Sequence, residues 1–586
     1  MTGPNQVDIR SKSGSVSRFF MGFVILGANL LFGLRGLDVG SRVLIDTDGH
    51  MRYNRVLELV TGLNPWWDGW AHRANAPFGH SMHWTRPLDA FLIVLSAPVA
   101  AFSGWREGLY FAALAVGPLL HVALGLAVAW TARPLLGTSA SYLAGMGVAA
   151  QSGILSYSAP GRPDHHILIV VIAVLLIGAA IRLSIAPEKS WVTLGALAGA
   201  AGLWVSTEFL APLALTLAFL AWLAFTGKNH LDRFGLWLGG GIGVALLLER
   251  PPAEYLAVEY DRISIVHVVL AVLVGLVGLL LRRARGRGSK LALLVTGGVG
   301  SVVVLTLWFP LFFAGPFAQV PQSVVDLWLV RVAELAPLWE AASHRWSDAS
   351  LLIGTGVIGF VLGILRLRRE SNRPAWVFLL ACLAVFLAFS MRSVRFSVYP
   401  SVLGAIAIAG WAAAWIAKMP GRGLSPSLRR VFAMSVVVVG MAYPFLIAIA
   451  LEGSATAVAQ PTCQLDDIVA PLAAELGATN GTVVLASLDS GPELLYRLPI
   501  EVVADPYHRN VEGILDSYAA LGTGGTGLLD KHNVEYVLVC EHDPDRGVYA
   551  AGGLYYQLIA GRAGPEFTEV ALGSDSPFRL YRWQAG

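Results

Sequence analysis

Apolar runs long enough to cross a bilayer recur through the first three-quarters of this chain, and they constrain its fold more than any other feature. In hydrocarbon each backbone N–H and C=O must be satisfied within its own segment, so such runs become helices. They fall at 19–37, 109–131, 139–157, 166–185, 191–206, 209–226, 233–248, 265–281, 290–312, 350–366, 374–391, 396–417 and 429–451. That is about thirteen spans of bilayer length. Of the 586 residues, 55% are hydrophobic and 14% charged, where a soluble domain carries about 25% charged residues. Segment 88–104 is apolar but short, and Pro98 interrupts it. It is either an interfacial helix or a fourteenth span that inverts everything downstream. Charge selects the first. With thirteen spans, the clusters Arg282-Arg283-Arg285-Arg287-Lys290, Arg366-Arg368-Arg369 and Lys418-Arg422-Arg429-Arg430 all share the side of the N-terminus. The positive-inside rule makes that side cytoplasmic. Loops 38–108 and 313–349 and the tail then face outward. The N-terminus is basic (Arg10, Lys12, Arg18) and turns apolar at Phe19 with no small-residue cleavage site, which reads as an uncleaved first span. No basic block resembles a nucleic-acid-binding arm.

From about 460 the composition becomes that of a soluble domain, so the chain divides into a membrane part, 1–451, and an outward part, 452–586. Residues 482–488, 501–504 and 535–540 read as short strands, 511–521 as a helix and 522–527 as a Gly-rich turn. Together they predict a small α/β domain. Three cysteines exclude a disulfide framework or a zinc cluster. Cys382 lies in an apolar run, which leaves Cys463 and Cys540 as the one pair. They read as a bridge or as two buried free thiols, the second being preferred.

Four outward loops carry charged groups beside span ends. Asp46-Thr47-Asp48-Gly49-His50 follows the first span, and Gly161-Arg162-Pro163-Asp164-His165-His166 opens another. Arg331-Val332-Ala333-Glu334-Leu335-Ala336-Pro337 lies in loop 313–349, and Met391-Arg392-Ser393-Val394-Arg395-Phe396 joins two late spans. Singly, each is an ordinary solvated flank of a membrane helix. Acids converging on one face from separate loops differ, because in a partly dry cleft like charges need a cation. Three of these groups can chelate a divalent metal, and the fourth can hold a phosphate. Glu208, at a short outward turn, reads as a membrane-face flank, and loop 249–261 as a solvated face. Tyr399 and Arg392 read equally as interfacial anchors.

The order and wording of these loops resemble the catalytic subunits of oligosaccharyltransferases, membrane glycosyltransferases of the GT-C type. Asp46, with His50 four residues on and then Arg52, resembles the family's first-loop pattern. Pro77-Phe78-Gly79, His83-Trp84-Thr85 and Pro87-Leu88-Asp89 are similar to the run that ends that loop. Asp164-His165-His166 stands where the family carries its second acidic motif. Val332-Ala333-Glu334 resembles its late-loop glutamate motif, and Val394-Arg395-Phe396 its pyrophosphate-contacting arginine motif. Val502-Val503-Ala504-Asp505-Pro506 with Asn510 resembles the stretch after its Trp-Trp-Asp signature. The resemblance implies a polytopic α-helical membrane protein with an extracytoplasmic C-terminal α/β domain, in the inner (plasma) membrane. It implies a metal-dependent, inverting glycosyltransferase that takes a glycan from a polyprenyl (pyro)phosphate-linked donor in the membrane lipid. Asp46, Asp164, His166 and Glu334 are the expected metal residues, with Asp46 and Glu334 also orienting the acceptor. Arg395 is expected on phosphate, Asp48, His50 and Asp489 on substrate, and His165 is a second choice.

Two departures matter. His166 replaces an acid; imidazole suits Mn²⁺ and serves Mg²⁺ poorly, although either ion is compatible with the remaining oxygens. The Trp-Trp-Asp position reads Ser487-Leu488-Asp489-Ser490-Gly491. The aromatic pocket for a sequon hydroxyl is therefore expected to be missing, and the acceptor to be something other than a sequon asparagine. Two rivals remain at this level. One is a GT-C transferase moving a single sugar from polyprenyl monophosphate onto a lipid or polysaccharide. The other is a transporter, which would place charges at mid-span and repeat its halves; neither feature is present in the sequence.

Overall fold

A computed structural model describes residues 5–34, 42–341, 346–368, 370–417, 425, 428, 463–477, 481–573 and 576–584. The fold is mostly helical. Among the described residues eight helices are long and apolar enough to cross a membrane, and Ser17–Gly33 and Ile265–Leu281 are shorter apolar helices. The first helix, α1 (Asn5–Gly33), and helices His166–Ile185, Lys189–Val205, Leu210–Phe225, Leu231–Glu249, Ile265–Leu281, Gly286–Trp308, Trp346–Leu367, Arg373–Arg392 and Val398–Ala417 fall on expected spans. The span expected at 429–451 and the boundary at 451 lie outside the described residues.

Glycine sets the closest helix contacts. A Cβ on Gly235 would lie 2.3 Å from Gly275 N, and one on Gly359 would lie 2.4 Å from Gly404 Cα. With lipid as apolar as leucine, such backbone approach is a main source of helix association.

The sequence reading needs one correction here. The expected span 139–157 is not continuous. Arg86–Met146 is broken at Gly104 (φ 83°) and Gly137 (φ 75°) into segments 86–103, 105–136 and 138–146, and a short helix, Ser152–Tyr157, follows a turn. Positive φ at the two breaks suits glycine, which has no Cβ to clash. The buried turn is satisfied by Gln151, whose Nε2 donates to Gly147 O at 3.0 Å while its Oε1 accepts from Thr355 Oγ1 at 2.8 Å.

Segment 86–103 corresponds to the apolar stretch 88–104 that the charge pattern reads as an interfacial helix and not as a fourteenth span. Both of its ends are tied to one helix, α2 (Thr47–Val60). Near the start, Asp89 accepts from Arg52 and Arg55 of α2 at 2.8 Å each. Just past the end, Tyr53 Oη donates to Arg106 O at 2.9 Å. The segment is thus anchored at both ends to the same short helix. Its outward row includes Val94 (68% exposed) and Phe102 (93% exposed), apolar residues that suit a lipid surface.

The outward domain holds a five-stranded sheet. A small ribbon in loop one pairs β1 (Trp70–Ala71) with β2 (His80–Ser81). The domain adds β3 (Val483–Leu485), β4 (Glu501–Val502), β5 (Tyr536–Cys540), β6 (Phe567–Val570) and β7 (Phe578–Trp583) in the order β4-β3-β5-β7-β6. β3 runs parallel to β4 and β5, while β7 is antiparallel to β5 and β6. The last two strands were not foreseen. The expected Gly-rich turn is half helix: Gly524 ends helix Val511–Thr523 in the left-handed conformation, and Thr526–Lys531 is a new helix. Cys463 and Cys540 are disulfide-bonded, which corrects the preference for free thiols.

The domain is welded to loop one. Val502 N donates to Arg73 O at 2.8 Å, and Ala76 N to Val502 O at 3.1 Å, so the loop extends the sheet beyond β4. Asp505, fully buried, accepts from His80 at 2.9 Å and from Asn510 at 2.8 Å. Met51, Met82 and Trp84 of the loop share a core with Leu538 and Leu580 of the sheet.

The start of segment 86–103 carries the densest buried charge. Asp89 is 0% exposed and also accepts from Arg86 at 3.0 Å, so one carboxylate is shared by three guanidiniums. Removing it strands buried positive charge, which typically costs about 3–5 kcal/mol. Asp89→Ala is expected to lower the melting temperature of the detergent-solubilised protein sharply, and Asp89→Asn to lower it less. A variant melting like the parent would show that the cluster does not hold the loop.

Candidate functional site

A cavity of about 520 Å³ opens between the helix ends, the outward loops and the C-terminal domain. Its acidic floor is built from two loops stitched together. Asp46 is the N-cap of α2 and accepts from Gly49 N at 2.7 Å. Ile45 N donates to Gly161 O at 3.1 Å, so loop one lies on the loop preceding helix His166–Ile185. A side chain at Gly49 would meet Asp46 Oδ1 at 2.9 Å and Pro163 at 3.1 Å; only glycine permits this approach.

Asp164 sits at the far side of that floor. Its two oxygens face His165 Nδ1 at 2.8 Å and His166 Nδ1 at 2.5 Å. His166 stacks on Tyr157, with ring centroids 4.7 Å apart, and points its other nitrogen at Glu334 Oε2, 3.4 Å away. That buried Nε2 has no hydrogen-bond partner among the described residues.

Glu334 arrives on a 3₁₀ turn, Ala333–Leu335, which rests on the arginine loop. Ser393 Oγ donates to Glu334 O at 2.9 Å, and Val394 N to Ala336 O at 3.0 Å. Two arginines flank the carboxylate: Arg162 Nη2 is 2.7 Å from Oε1 and Arg395 Nη2 is 3.1 Å from Oε2. Arg395 also pairs with Glu208 through its other Nη. Glu208 thus belongs to the site, although the sequence read it as a flank.

The carboxylates titrate differently because their neighbours differ. Burial pushes Asp46 up to about 6, opposed by Arg162. Burial, reinforced by Asp164 and Asp46, pushes Asp48 up to about 7. Asp164 would also be raised by burial, but the imidazoles of His166 and His165 hold it well below the usual range. For Glu334 the burial effect is outweighed by His166, Arg395 and Arg162, which hold it down. Asp489, on the domain wall of the cavity, is pushed up to about 6 by its surroundings and by Asp545.

Of the residues expected from sequence, Asp46, Asp48, Asp164, His165, His166, Glu334 and Arg395 converge. Asp48 accepts from Tyr507 Oη at 3.0 Å, which ties the floor to the C-terminal domain. His50 does not join them. Its ring lies 5.0 Å from that of Tyr496, and neither nitrogen has a hydrogen-bond partner among the described residues. Burial and Arg497 lower it to about 3, so it is a neutral packing residue. Leu488, at the position of a signature aromatic, is buried in the domain core, and Ser487 Oγ lies 2.9 Å from Ser490 Oγ.

Sequence reasoning missed one wall. His508 Nε2 is 2.8 Å from Asp261 Oδ2, and Arg509 clamps the same carboxylate at 2.6 and 2.5 Å. His83 packs against His508 at a tilt, with centroids 4.4 Å apart. The loop around Asp261 holds four acids, Glu249, Glu254, Glu259 and Asp261, with Arg250 and Arg262 among them, a mixture that by composition reads as a solvated turn.

The donor set suits a divalent ion. Ligand atoms of Asp164, His165 and His166 lie within 4.8 Å of one another. The unpartnered His166 nitrogen faces Glu334, and Asp46 adds oxygen across Arg162.

No family model and no curated protein matches the chain by sequence. Solved structures match it by fold. The archaeal oligosaccharyltransferase AglB from Archaeoglobus fulgidus, in complex with an inhibitory peptide and a dolichol-phosphate, superposes with a TM-score of 0.69 at 16% identity, over 93% of this chain and 72% of that one. The apo form of the Archaeoglobus fulgidus oligosaccharyltransferase gives 0.68 at 17% identity, over 92% and 72%. Its complex with Zn and sulfate gives 0.63 at 16%, over 93% and 71%. At these identities the likeness is one of architecture: the chain has the fold of the Archaeoglobus fulgidus oligosaccharyltransferase, a helical membrane body with a small C-terminal α/β domain.

Proposed function

We propose that this protein is a glycosyltransferase that moves a glycan from a polyprenyl (pyro)phosphate-linked donor to an extracytoplasmic acceptor, in the manner of an oligosaccharyltransferase. The observation that carries this reading is the meeting of Asp46, His166, Glu334 and Arg395, from four separate parts of the chain, at one cavity, with Asp164 paired to His166 beside it. A structural neighbour with dolichol-phosphate and a peptide, and another with Zn and sulfate, support a lipid-linked donor and a metal centre.

The acceptor attacks the anomeric carbon from the face opposite the leaving phosphate, so configuration inverts. Electrons pass to a multiply anionic leaving group, and charge stabilisation is the main demand. Arg395, already turned into the cavity by Glu208 and Glu334, supplies a forked donor pair for phosphate. Asp46, Asp164, His166 and Glu334 would hold Mn or Mg, and such an ion supplies positive charge to the leaving oxygens. Asp46 and Glu334 orient the acceptor. The mixed nitrogen and oxygen set favours Mn over Mg. The site faces the periplasm or exterior of the inner membrane. Helix Ile265–Leu281 starts beside Asp261 and ends at Arg282, which puts that basic cluster roughly 25 Å from the cavity at 1.5 Å per residue.

The acceptor is something other than a sequon asparagine: a lipid, a polysaccharide end or a hydroxyl side chain. Leu488 turned into the core supports this, since no aromatic pair lines the cavity at that position. His508, oriented by Asp261, stands where a hydroxyl acceptor would need a base. Single-sugar transfer from polyprenyl monophosphate is the second reading, and the same wall favours it.

Alanine at Asp46 or Asp164 should abolish transfer by folded, membrane-inserted protein, and Arg395→Lys should keep part of it because charge survives and the fork does not. Uptake of the ion by the metal-free protein should weaken as the pH drops through about 6, where Asp46 takes up a proton that competes with the ion for its oxygens. Full turnover in excess chelator excludes the metal.

Offered Asn-x-Thr and Asn-x-Ala peptides with native lipid-linked donor, the purified enzyme should not prefer the first. Efficient transfer to the threonine peptide alone would show that sequon reading survives.

A reporter fused after residue 586 should be active only outside the cytoplasm. Cytoplasmic activity would overturn the orientation and the donor side with it.

A further inference from the structure

Three carboxylates from three loops share a single guanidinium. Arg162 Nε is 2.7 Å from Asp46 Oδ2, and its Nη2 is 2.7 Å from Glu334 Oε1 and 3.8 Å from Asp164 Oδ2. The same side chain lies over the Tyr157 ring at 4.6 Å and donates through Nη1 to Ser156 O at 3.2 Å. The guanidinium therefore stands among the oxygens that a divalent ion would have to gather.

We propose that Arg162 is a built-in competitor for the divalent metal: it neutralises Asp46, Asp164 and Glu334 when no ion is bound, and an ion enters only by displacing it. This deepens the metal-site reading above and rests on it. Arginine stays protonated under all ordinary conditions, so its charge cannot be removed by pH to let the ion in. Both cations cannot occupy the same oxygens. An ion brings twice the charge, but it requires ligand distances near 2.1 Å, tighter than the spread a planar guanidinium bridges. The exchange is a side-chain swing and not a loop movement. Gly161 holds φ at 83°, Pro163 fixes the next turn, and the Gly49 contact with Pro163 leaves the backbone no slack. Tyr157, beneath the guanidinium, gives the displaced cation a surface to remain on.

Two consequences separate this role from a plain structural ion pair. The intact protein should bind metal weakly and keep its stability without it. A protein lacking the guanidinium should bind metal tightly and need it.

The test uses the full chain in detergent and Mn²⁺ as the probe. Free Mn²⁺ is read by electron paramagnetic resonance, and melting is followed with Mn²⁺ or with EDTA. Arg162→Ala is expected to bind Mn²⁺ roughly 10- to 100-fold more tightly than the parent, as removal of one like charge a few ångströms away in a part-buried site predicts. Its melting temperature should fall in EDTA and recover with Mn²⁺, while the parent barely responds. Arg162→Gln keeps hydrogen-bond donors without the charge. It should fold even if the alanine variant does not, and should also bind more tightly than the parent. Adding Asp164→Asn should abolish the gain. If the parent binds Mn²⁺ and neither variant binds it better, the competition is overturned and the metal site stands. If no form binds Mn²⁺, the metal site itself falls, and the competition with it.

Discussion

Carboxylates brought together from separate loops into a half-dry cleft repel one another, and the architecture of this protein depends on the cations that accompany them. The debt is met in two places by the same device. At the start of segment 86–103, one buried aspartate serves three arginines. At the cavity floor the ratio is inverted, and two arginines serve the carboxylates of Asp46, Asp164, Glu334 and Glu208. The first arrangement is buried and closed around both oxygens of Asp89, away from the cavity. The second is open to a cavity and leaves a histidine nitrogen without a partner. That contrast separates a structural charge cluster from one that can exchange its cation for substrate or metal.

The membrane body supplies rigidity to the open cluster. Helix ends carry Asp164, His166 and Arg395, and the helices beneath them are locked by glycine contacts too close for any side chain. The loops add Asp46, Glu334 and the C-terminal wall. Because the sheet continues into loop one through Arg73, Ala74 and Ala76, the domain cannot shift without moving α2 and Asp46. The Asp505 and Asn510 positions, whose wording resembles a conserved family stretch, do their work in this weld and not in the cavity.

Under the proposed function this division separates donor from acceptor: the donor side would be made by helix ends and short turns, where charge geometry is tightly held, and the acceptor side by His83, Asp261, His508 and Asp489, from loops and a separate domain.

Much of this was legible in the chain alone. Apolar run length identifies most of the spans because a bilayer leaves the backbone no alternative to helix. The motif positions Asp46, Asp164, His166, Glu334 and Arg395 were legible because unsatisfied charge at a membrane face is costly and therefore informative. The break of the expected span 139–157 was not, since it depends on Gln151 reaching Thr355, some two hundred residues away, as well as the nearby Gly147. The exclusion of His50 and the inclusion of Glu208, Asp261 and His508 were not either. Those outcomes turn on which side chains meet across more than a hundred residues of sequence, and periodicity carries no such information. The sequence by itself determined that this protein crosses a membrane many times and gathers acids on one face. Only the tertiary structure decided which cation those acids hold, because an ion pair is a matter of distance, and distance belongs to the folded chain.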